Sequence, residues 1–283
     1  MPGTPYARLR ALRRVLISDV DGTLLEGGRA SRGCAAIGER LADAQAGLVL
    51  ATGRDLKLTL EATDELMAAG MPRPEALICS VGSEIYLGEG NRPDASWAKH
   101  ISEGWDRDGV QAALAAVAGL TLQDDGALKE FKVSYFFTEE PAALPDSEGC
   151  RDTSPGQSKV AESRATQITA DASRALLAAG LPARLIPSAG SFLDVLPQRA
   201  SKGAAVSWLI SLAALDPRGV IVAGDSGNDR EMMLVEHAGR PIRAVIVGNH
   251  EAELADLVGR PHVYVAEKAA CAGVLEGIMA HGW

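Results

Sequence analysis

Near its start the chain reads Val15-Leu16-Ile17-Ser18-Asp19-Val20-Asp21-Gly22-Thr23-Leu24-Leu25. The apolar part of this stretch has the length of a buried strand, and it delivers Asp19 and Asp21 into a turn marked by glycine. Carboxylates at the end of a buried strand are costly unless a positive charge lies beside them. Asp and Gly are also ordinary turn residues, so a solvated turn is the alternative. A divalent cation with oxygen ligands, Mg²⁺ in the first place, fits this density of carboxylates.

The pattern around that strand predicts the fold class. Between residues 31 and 79, two helices alternate with two further apolar strands, and the same alternation returns from about residue 202 onward. Alternating strands and helices form a parallel sheet with helices on its faces. We therefore predict an α/β protein with a doubly wound, Rossmann-like core domain that is discontinuous in sequence, formed by residues 1–81 and 192–283.

Residues 82–191 have a different texture, with longer polar segments and most of the aromatic side chains. Strands grouped with two helices predict a smaller α+β domain with an antiparallel sheet, inserted into the core domain. The polar segment 145–160 contains proline and glycine and is expected to be a mobile loop. The predicted strands are 120–123, 131–138, 184–186 and 192–196, and the predicted helices are 110–118 and 172–179.

The composition narrows the classes of partner and the compartment. A net charge of −9 argues against nucleic acid and anionic membrane surfaces, although it leaves room for a small phosphorylated substrate. No apolar stretch is long enough to span a membrane and no signal peptide is visible, so a cytoplasmic protein is expected. Cysteines stand at 34, 79, 150 and 271 without a metal-binding spacing, which indicates free thiols in a reducing compartment.

Polar motifs follow several of the predicted strands. Thr52-Gly53-Arg54 comes after the second strand, and Gly224-Asp225-Ser226-Gly227-Asn228-Asp229 comes after a later one. Lys202 opens the helix that leads to that later strand. Ligands of open parallel sheets bind beyond the carboxyl ends of the strands, so these motifs are expected to form one site with Asp19 and Asp21.

The residue types suggest how the catalytic groups divide the work. Asp19 is our candidate nucleophile, which would form an aspartyl-phosphate, and Asp21 is the candidate acid and base. Lys202 would stabilise developing negative charge. Thr52, together with the amide of Gly53, is expected at a helix N-terminus that favours an anion.

The remaining core candidates concern the metal and the substrate. Mg²⁺ is expected to be held by Asp19, the carbonyl of Asp21 and Asp225. Asp229 would hold the water shell of the metal or orient the lysine. The candidate substrate-binding residues in these motifs are Gly53, Arg54 and Asn228.

The four motifs, in this order and each in this place, resemble those of the haloacid dehalogenase-like phosphatases. Too few residues separate the first two motifs to hold a domain there, whereas the second and third leave ample room for a cap domain. Within that superfamily the chain is similar to the sucrose-6-phosphate phosphatase family in residues 81–86, 132–135 and 193–198, and in the spacing of Trp97 and Trp105. The resemblance implies that four residues of the cap contact the sugar: Glu84, Lys132, Ser134 and Asp194. The alternative is that these residues serve only the structure of the cap.

The resemblance implies a Mg²⁺-dependent sugar-phosphate phosphatase that hydrolyses sucrose 6-phosphate to sucrose and phosphate. Phosphatases of mannosylfructose phosphate, glucosylglycerol phosphate and mannosyl-3-phosphoglycerate are near alternatives. A sugar phosphomutase and a non-catalytic partner of a sugar-phosphate synthase are more distant ones. The expected partner is a small sugar phosphate, with a synthase as a further candidate and with neither nucleic acid nor membrane.

Overall fold

The computed structural model describes residues 6–88, 92–123, 129–137, 155–188 and 192–283, and for residues 155–163 the backbone alone. The chain divides into two compact units. The first comprises Met1–Lys99 and Ala200–Trp283, and the second comprises His100–Arg199. The insertion therefore runs over 100–199, whereas the sequence pattern placed it at 82–191.

The strands and helices of the described residues follow the chain in this order. The strands are β1 (Arg14–Ser18), β2 (Leu25–Glu26), β3 (Arg29–Ala30), β4 (Ala46–Ala51), β5 (Ala76–Cys79), β6 (Glu84–Leu87), β7 (Leu120–Leu122), β8 (Val133–Phe137), β9 (Ala183–Ser188), β10 (Phe192–Pro197), β11 (Val220–Gly224), β12 (Glu236–His237), β13 (Arg240–Pro241), β14 (Arg243–Ile246) and β15 (Val263–Val265). The helices are α1 (Ala7–Ala11), α2 (Cys34–Asp43), α3 (Leu56–Ala68), α4 (Ala95–Ile101), α5 (Arg107–Leu114), α6 (Pro155–Ala178), α7 (Lys202–Ala213), α8 (Arg230–Met233) and α9 (Ala270–Ala280).

The first unit is built on a seven-stranded sheet with the order β15-β14-β11-β1-β4-β5-β6. Its strands run parallel except β6, which pairs antiparallel with β5. The central strands β1, β4, β5 and β11 are buried almost throughout, as expected for parallel strands whose two faces are covered by helices. This confirms the predicted Rossmann-like core. Because β1 lies between β11 and β4, the turns that follow these three strands meet at one edge.

The sheet of the first unit extends one strand further along the chain than the sequence pattern indicated. After β5 the chain makes a tight turn at Ser80–Gly82, in which Gly82 has a φ of +92°. A side chain at Gly82 would overlap the backbone of Ser201, so the turn needs glycine for both reasons. Strand β6 then returns along β5. For this reason Glu84, expected in the inserted domain, belongs to the first unit.

The second unit contains a four-stranded antiparallel sheet with the order β7-β8-β10-β9. One face packs on α5 and α6, because alternate residues of β8 and β10 point to the same side of the sheet and join the residues of both helices in one buried cluster. The predicted antiparallel α+β insertion is confirmed by this sheet. Its buried cluster consists of Val110, Leu114, Val133, Tyr135, Ala172, Leu176, Leu193 and Val195.

Two parts of the second unit differ from the sequence pattern. The prediction of a mobile loop over 145–160 is wrong from residue 155 onward, because α6 begins at Pro155. Residues 145–154 lie outside the described residues. Proline is well suited to the first turn of a helix, where its missing N–H has no partner to lose. The helix expected at 172–179 is therefore only the C-terminal part of α6.

The cysteines that the structure describes are free, as expected. Cys34, Cys79 and Cys271 are buried thiols, and the Sγ atoms of Cys34 and Cys271 lie 2.8 Å apart. Cys150 lies outside the described residues. Among the helices that the structure describes, none combines the length and the apolar character needed to cross a membrane.

Candidate active site

A buried lysine joins two carboxylates at the carboxyl edge of the first unit's sheet. The Nζ atom of Lys202 donates to Oδ1 of Asp19 at 2.6 Å and to Oδ1 of Asp229 at 2.7 Å. All three side chains are almost completely inaccessible to water. Asp19 follows β1, and its backbone N–H donates to the carbonyl of Ala223 in β11, which fixes it at the strand end.

Lys202 reaches this position because it is the first residue of α7. Ser201 caps the helix by accepting the N–H of Ala204 at 3.0 Å, and the helix is buried along most of its length. Burial alone would lower the pKa of Lys202, but Asp19 and Asp229 outweigh burial and raise it. The lysine is therefore held as a cation.

Asp225 stands beside this network at the end of β11. Its Oδ1 accepts the hydroxyl of Thr23 at 2.9 Å. Gly22, with a φ of +76°, lies so close that a Cβ there would overlap the Asp225 carboxylate. Glycine is thus required in the turn after Asp21, because it lets two chain segments approach at the site.

Asp229 holds the loop that carries Asp225. Its Oδ2 accepts the N–H groups of Asp225 at 3.0 Å and Ser226 at 3.1 Å, while its Oδ1 accepts Lys202. The hydroxyl of Ser226 is a further donor to Oδ2 at 3.3 Å. These bonds saturate much of the carboxylate, which makes Asp229 the anchor of the loop and of the lysine.

The acidic groups at this edge carry more negative charge than the lysine neutralises. Carboxylate oxygens of Asp19, Asp225 and Asp229 all lie within 4.8 Å of one another. Burial, followed by the charge of Asp229, raises the pKa of Asp19 well above its ordinary value. The same two causes raise the pKa of Asp225 to about 6. An all-oxygen donor set with uncompensated negative charge fits a hard divalent cation.

The side chain of Asp21 lies outside that acidic group. Arg54 binds its carboxylate with two nitrogens, Nε at 2.8 Å and Nη2 at 2.6 Å. The Asp21 side chain is 54% exposed, so it faces solvent at the mouth of the site. Arg54 follows β4, and this pairing links the turns after two neighbouring strands.

Thr52 and Gly53 lie before α3 and not at its first turn. The helix begins at Leu56, and Asp55 caps it by accepting the N–H of Leu58 at 3.0 Å. The expectation of a helix N-terminus at Thr52 is therefore wrong by a few residues, because the Asp55 carboxylate takes the place of an anion there. Thr52 is fully buried, and its Oγ1 accepts the N–H of Arg54 at 3.1 Å. It shapes the turn that presents Arg54.

Asn228 lies in the turn Gly227–Asp229, between Asp225 and the first residue of α8. Its Oδ1 is inaccessible to water and has no hydrogen-bond partner among the residues that the structure describes. A buried acceptor without a donor is uncommon in folded proteins. Asn228 thus carries an unsatisfied acceptor in the loop that also carries Asp225.

The candidates from the second unit form a polar cluster of their own. Asp194 of β10 accepts the hydroxyl of Ser134 at 2.6 Å and the Nζ of Lys132 at 3.2 Å. Ser134 and Asp194 face each other across the β8–β10 ladder. Glu84 is not part of this cluster; it lies in the first unit and accepts the hydroxyl of Ser80 at 3.1 Å.

Sequence reasoning missed two residues at the carboxyl edge, both in the turn after β14. The side chain of Asn249 donates to the carbonyl of Gly22 at 2.8 Å. Glu251 binds the loop of Asp225, accepting the N–H of Gly227 at 3.1 Å and donating its own N–H to the Asp225 carbonyl at 2.8 Å. The signal was present, since polar residues 249–251 follow a buried parallel strand as the other motifs do.

The parallel sheet and the aspartates that follow β1 and β11, linked by a buried lysine, define the class of the haloacid dehalogenase-like hydrolases. A family model described as sucrose-6F-phosphate phosphohydrolase matches residues 12–145 and 159–282. The chain belongs to this family.

Individual relatives agree with the family. Sucrose-phosphatase 1 of Nicotiana tabacum is 30% identical over 239 residues, which are 82% of this chain and 49% of the relative. The chain thus spans about half the length of that plant protein. The mannosylfructose-phosphate phosphatase of Agrobacterium fabrum is 29% identical over 272 residues, 95% of this chain and 97% of the relative.

A solved structure shares the fold over almost the whole chain. The sucrose-phosphatase of Synechocystis, crystallised with sucrose and phosphate, superposes with a TM-score of 0.73. It is 30% identical in sequence, and the match covers 95% of this chain and 98% of that one.

Proposed function

We propose that this protein is a Mg²⁺-dependent phosphatase that hydrolyses sucrose 6-phosphate to sucrose and phosphate. The observation that carries the proposal is the buried arrangement of Lys202 with Asp19 and Asp229, with Asp225 beside it. A buried ion pair of this kind adds little net stability because desolvation offsets its attraction, so its presence favours a chemical role. The family and its sugar-phosphate phosphatases support the substrate class.

In the proposed reaction, Asp19 is the nucleophile. Its carboxylate attacks the phosphorus of the substrate, and the bond from phosphorus to the sugar oxygen breaks. For the role of acid, Asp21 would have to leave its pairing with Arg54 and take up a proton from solvent, which it gives to the departing oxygen; it later accepts a proton from the water that hydrolyses the aspartyl-phosphate. Lys202 keeps the Asp19 carboxylate in place and lowers the cost of negative charge at the phosphoryl group.

The residues for the cation are Asp19, the carbonyl of Asp21 and Asp225, with Asp229 anchoring the loop. When bound, Mg²⁺ supplies positive charge that offsets the phosphate and the surplus carboxylates. Burial and the charge of Asp229 raise the pKa of Asp225, so its carboxylate lacks compensating positive charge, which a bound cation would supply. The candidates for holding the phosphate or the sugar are Arg54, Gly53, Thr52 and Asn228. The unsatisfied Oδ1 of Asn228 is an acceptor, so it would suit a hydroxyl donor of the sugar and not the phosphate.

The second unit is proposed to select the sugar. Lys132, Ser134 and Asp194 offer both donors and acceptors on one face of its sheet, which suits the hydroxyl groups of a carbohydrate. Glu84, on an edge strand of the first unit, is a further candidate contact.

A second substrate is favoured by a specific observation. The mannosylfructose-phosphate phosphatase of Agrobacterium matches this chain over nearly the full length of both proteins. Mannosylfructose phosphate is therefore the first alternative substrate, ahead of glucosylglycerol phosphate and mannosyl-3-phosphoglycerate.

A substrate panel tests the proposal. Phosphate release is measured with Mg²⁺ on sucrose 6-phosphate, mannosylfructose phosphate, glucosylglycerol phosphate and glucose 6-phosphate. We expect kcat/KM for sucrose 6-phosphate to exceed the others by at least about tenfold, which corresponds to one or two well-placed hydrogen bonds. Equal and slow rates on every compound would refute the assignment of sucrose 6-phosphate as the substrate. If another compound were hydrolysed fastest, that compound would be assigned as the substrate instead.

A further inference from the structure

We infer that Asn249 is a positioning residue that sets the geometry of the candidate cation site by clamping the turn after Asp21. The inference rests on the proposed function, since it takes the edge formed by Asp19 and Asp225 for a cation site. Asn249 follows β14, a strand whose turn carries none of the motif residues. It contacts the turn from the side opposite to Arg54's element, so it adds a restraint that the motifs alone do not provide.

Both ends of the Asn249 amide are engaged with distant backbone groups. Nδ2 donates to the carbonyl of Gly22 at 2.8 Å, and Oδ1 accepts the N–H of Ala270 at 2.8 Å. Only this orientation of the amide satisfies both partners, because the reverse would set the NH₂ group against an N–H. The side chain thus fastens the turn after β1 to the first residue of α9.

The carbonyl that Asn249 holds is a sensitive point of the site. Gly22 follows Asp21 directly, and the Gly22 Cα packs against the Asp225 carboxylate with no room for a Cβ. The next residue, Thr23, donates to Oδ1 of Asp225 at 2.9 Å. A displacement of Gly22 would therefore move both the Asp21 carbonyl, which lies in the peptide before it, and the Thr23 hydroxyl, which lies on the residue after it.

Residues 249–251 also bind the loop after β11, which carries Asp225. Two residues beyond Asn249, the backbone N–H of Glu251 donates to the carbonyl of Asp225 at 2.8 Å, and its carboxylate accepts the N–H of Gly227. Residues 249–251 therefore bind both the turn after β1 and the loop after β11. A segment bound to both can fix the distance between Asp19 and Asp225, on which the affinity for a cation depends.

Two substitutions separate this role from a purely structural one. Asn249→Ala removes both hydrogen bonds, whereas Asn249→Asp keeps the acceptor for Ala270 and removes only the donor for Gly22. The readouts are the dissociation constant for Mn²⁺, followed by the paramagnetic signal of the free ion, and the thermal unfolding midpoint in EDTA. The Asn249→Asp variant also introduces a carboxylate. If that carboxylate acted only through its negative charge, Mn²⁺ would bind more tightly, so weaker binding would show that the lost hydrogen bond to Gly22 matters more than the added charge.

We expect both variants to bind Mn²⁺ about threefold to tenfold more weakly than wild type, the effect of one lost hydrogen bond. In EDTA, Asn249→Asp should unfold near the wild-type temperature and Asn249→Ala below it. At saturating Mg²⁺, kcat for phosphate release should recover in both. Wild-type or tighter Mn²⁺ binding in either variant would overturn the inference while leaving the proposed function intact. A wild-type protein that neither binds Mn²⁺ nor releases phosphate would overturn both.

Discussion

At the scale of single residues, the site is governed by an imbalance of charge. Asp19 and Asp229 bind the single ammonium group of Lys202 where water hardly reaches, and the half-buried carboxylate of Asp225 lies beside them without a cation of its own. Removing one partner of a buried ion pair leaves the other without compensation, which costs more than the pair contributes while intact. This asymmetry makes the lysine the most sensitive side chain for stability.

We therefore expect Lys202→Met to lower the free energy of unfolding by about 3–5 kcal/mol. Adding Asp19→Asn to the same chain should recover part of the loss, because one unpaired buried carboxylate disappears. Urea denaturation measures both. Lys57→Met, at an exposed position of α3, is the matched control and should change the free energy by less than about 0.5 kcal/mol. A similar small change for Lys202→Met would contradict the buried pairing.

The raised pKa of Asp225 leads to a pH dependence of the metal-free protein. Burial and the charge of Asp229 raise this pKa to about 6 in the folded state, and an unfolded carboxyl titrates near its ordinary value of about 4. Between these values the folded state binds more protons, so this group adds stability as the pH falls through 6.

Asp225→Asn should remove that contribution. In EDTA at about pH 8 the variant is expected to unfold at a higher temperature than wild type, and the gap should narrow by about pH 5. The comparison of the two proteins cancels the titrating groups that do not interact with Asp225. The charge of Asp225 also raises the pKa of Asp19, so its removal changes the stability in the same direction through that group. A gap that stays constant with pH would show that Asp225 is not strained by its neighbours. Adding Mg²⁺ should stabilise wild type more than the variant.

The sequence predicts those residues of the site that follow strands of the parallel sheet, because the order of the strands brings them together. Asp19, Lys202 and Asp225 meet because turns at the carboxyl edge of a parallel sheet converge, and that edge follows from the strand pattern. The pairing of Arg54 with Asp21 was not foreseen, since it depends on how two side chains reach across loops. Asn249 also follows a buried parallel strand, but its role was missed because its amide binds only backbone groups, and a residue type alone does not predict such contacts.

At the scale of secondary structure, α7 places Lys202 at the start of a buried helix. Ser201 supplies the cap, with its hydroxyl accepting the N–H of Ala204 at 3.0 Å. Ser201→Ala should lower the free energy of unfolding by about 1 kcal/mol, the usual value of a helix cap.

Ser211→Ala serves as the control for that helix. Its hydroxyl is exposed and donates to the carbonyl of Ser207 within α7. Urea denaturation of this variant should differ from wild type by less than about 0.5 kcal/mol. Equal losses for both serines would show that the cap contributes nothing specific to the start of α7.

Strand and helix bounds show where sequence patterns lose precision. The strands of the first unit were found because each is an apolar run between polar turns. By contrast, β6 continues the sheet after a turn that depends on the positive φ of Gly82, and periodicity does not register such a turn. Helix α6 was underestimated because its first half is polar, and a polar helix has no apolar stripe to mark it.

At the scale of the whole molecule, the division into two units was foreseeable but its boundaries were not. A change from alternating strands and helices to grouped strands indicates an insertion, whereas the boundary is set by contacts that form only on folding. The first unit keeps β6 and most of α4, so the second begins at His100 and ends at Arg199.

If the second unit selects the sugar, a change in its polar cluster should alter selectivity and spare the chemistry. Lys132→Met removes the donor to Asp194. We expect KM for sucrose 6-phosphate to rise about threefold to tenfold, as for one lost hydrogen bond to the substrate. Steady-state kinetics with p-nitrophenyl phosphate is the control, and kcat/KM for that small ester should stay within about twofold of wild type. Equal losses on both substrates would assign Lys132 to stability alone.

The central claim is that Asp19 attacks the phosphoryl group of a sugar phosphate in a cation-dependent reaction. The initial rate of phosphate release from sucrose 6-phosphate, measured for wild type and Asp19→Asn with Mg²⁺ and with EDTA, tests it most directly. We predict that wild type is active with Mg²⁺ and inactive in EDTA, and that activity returns when Mg²⁺ is restored. Asp19→Asn should be slower by at least about a thousandfold, as expected when a nucleophile is lost. A rate for Asp19→Asn near that of wild type, or full wild-type activity in EDTA, would contradict the account.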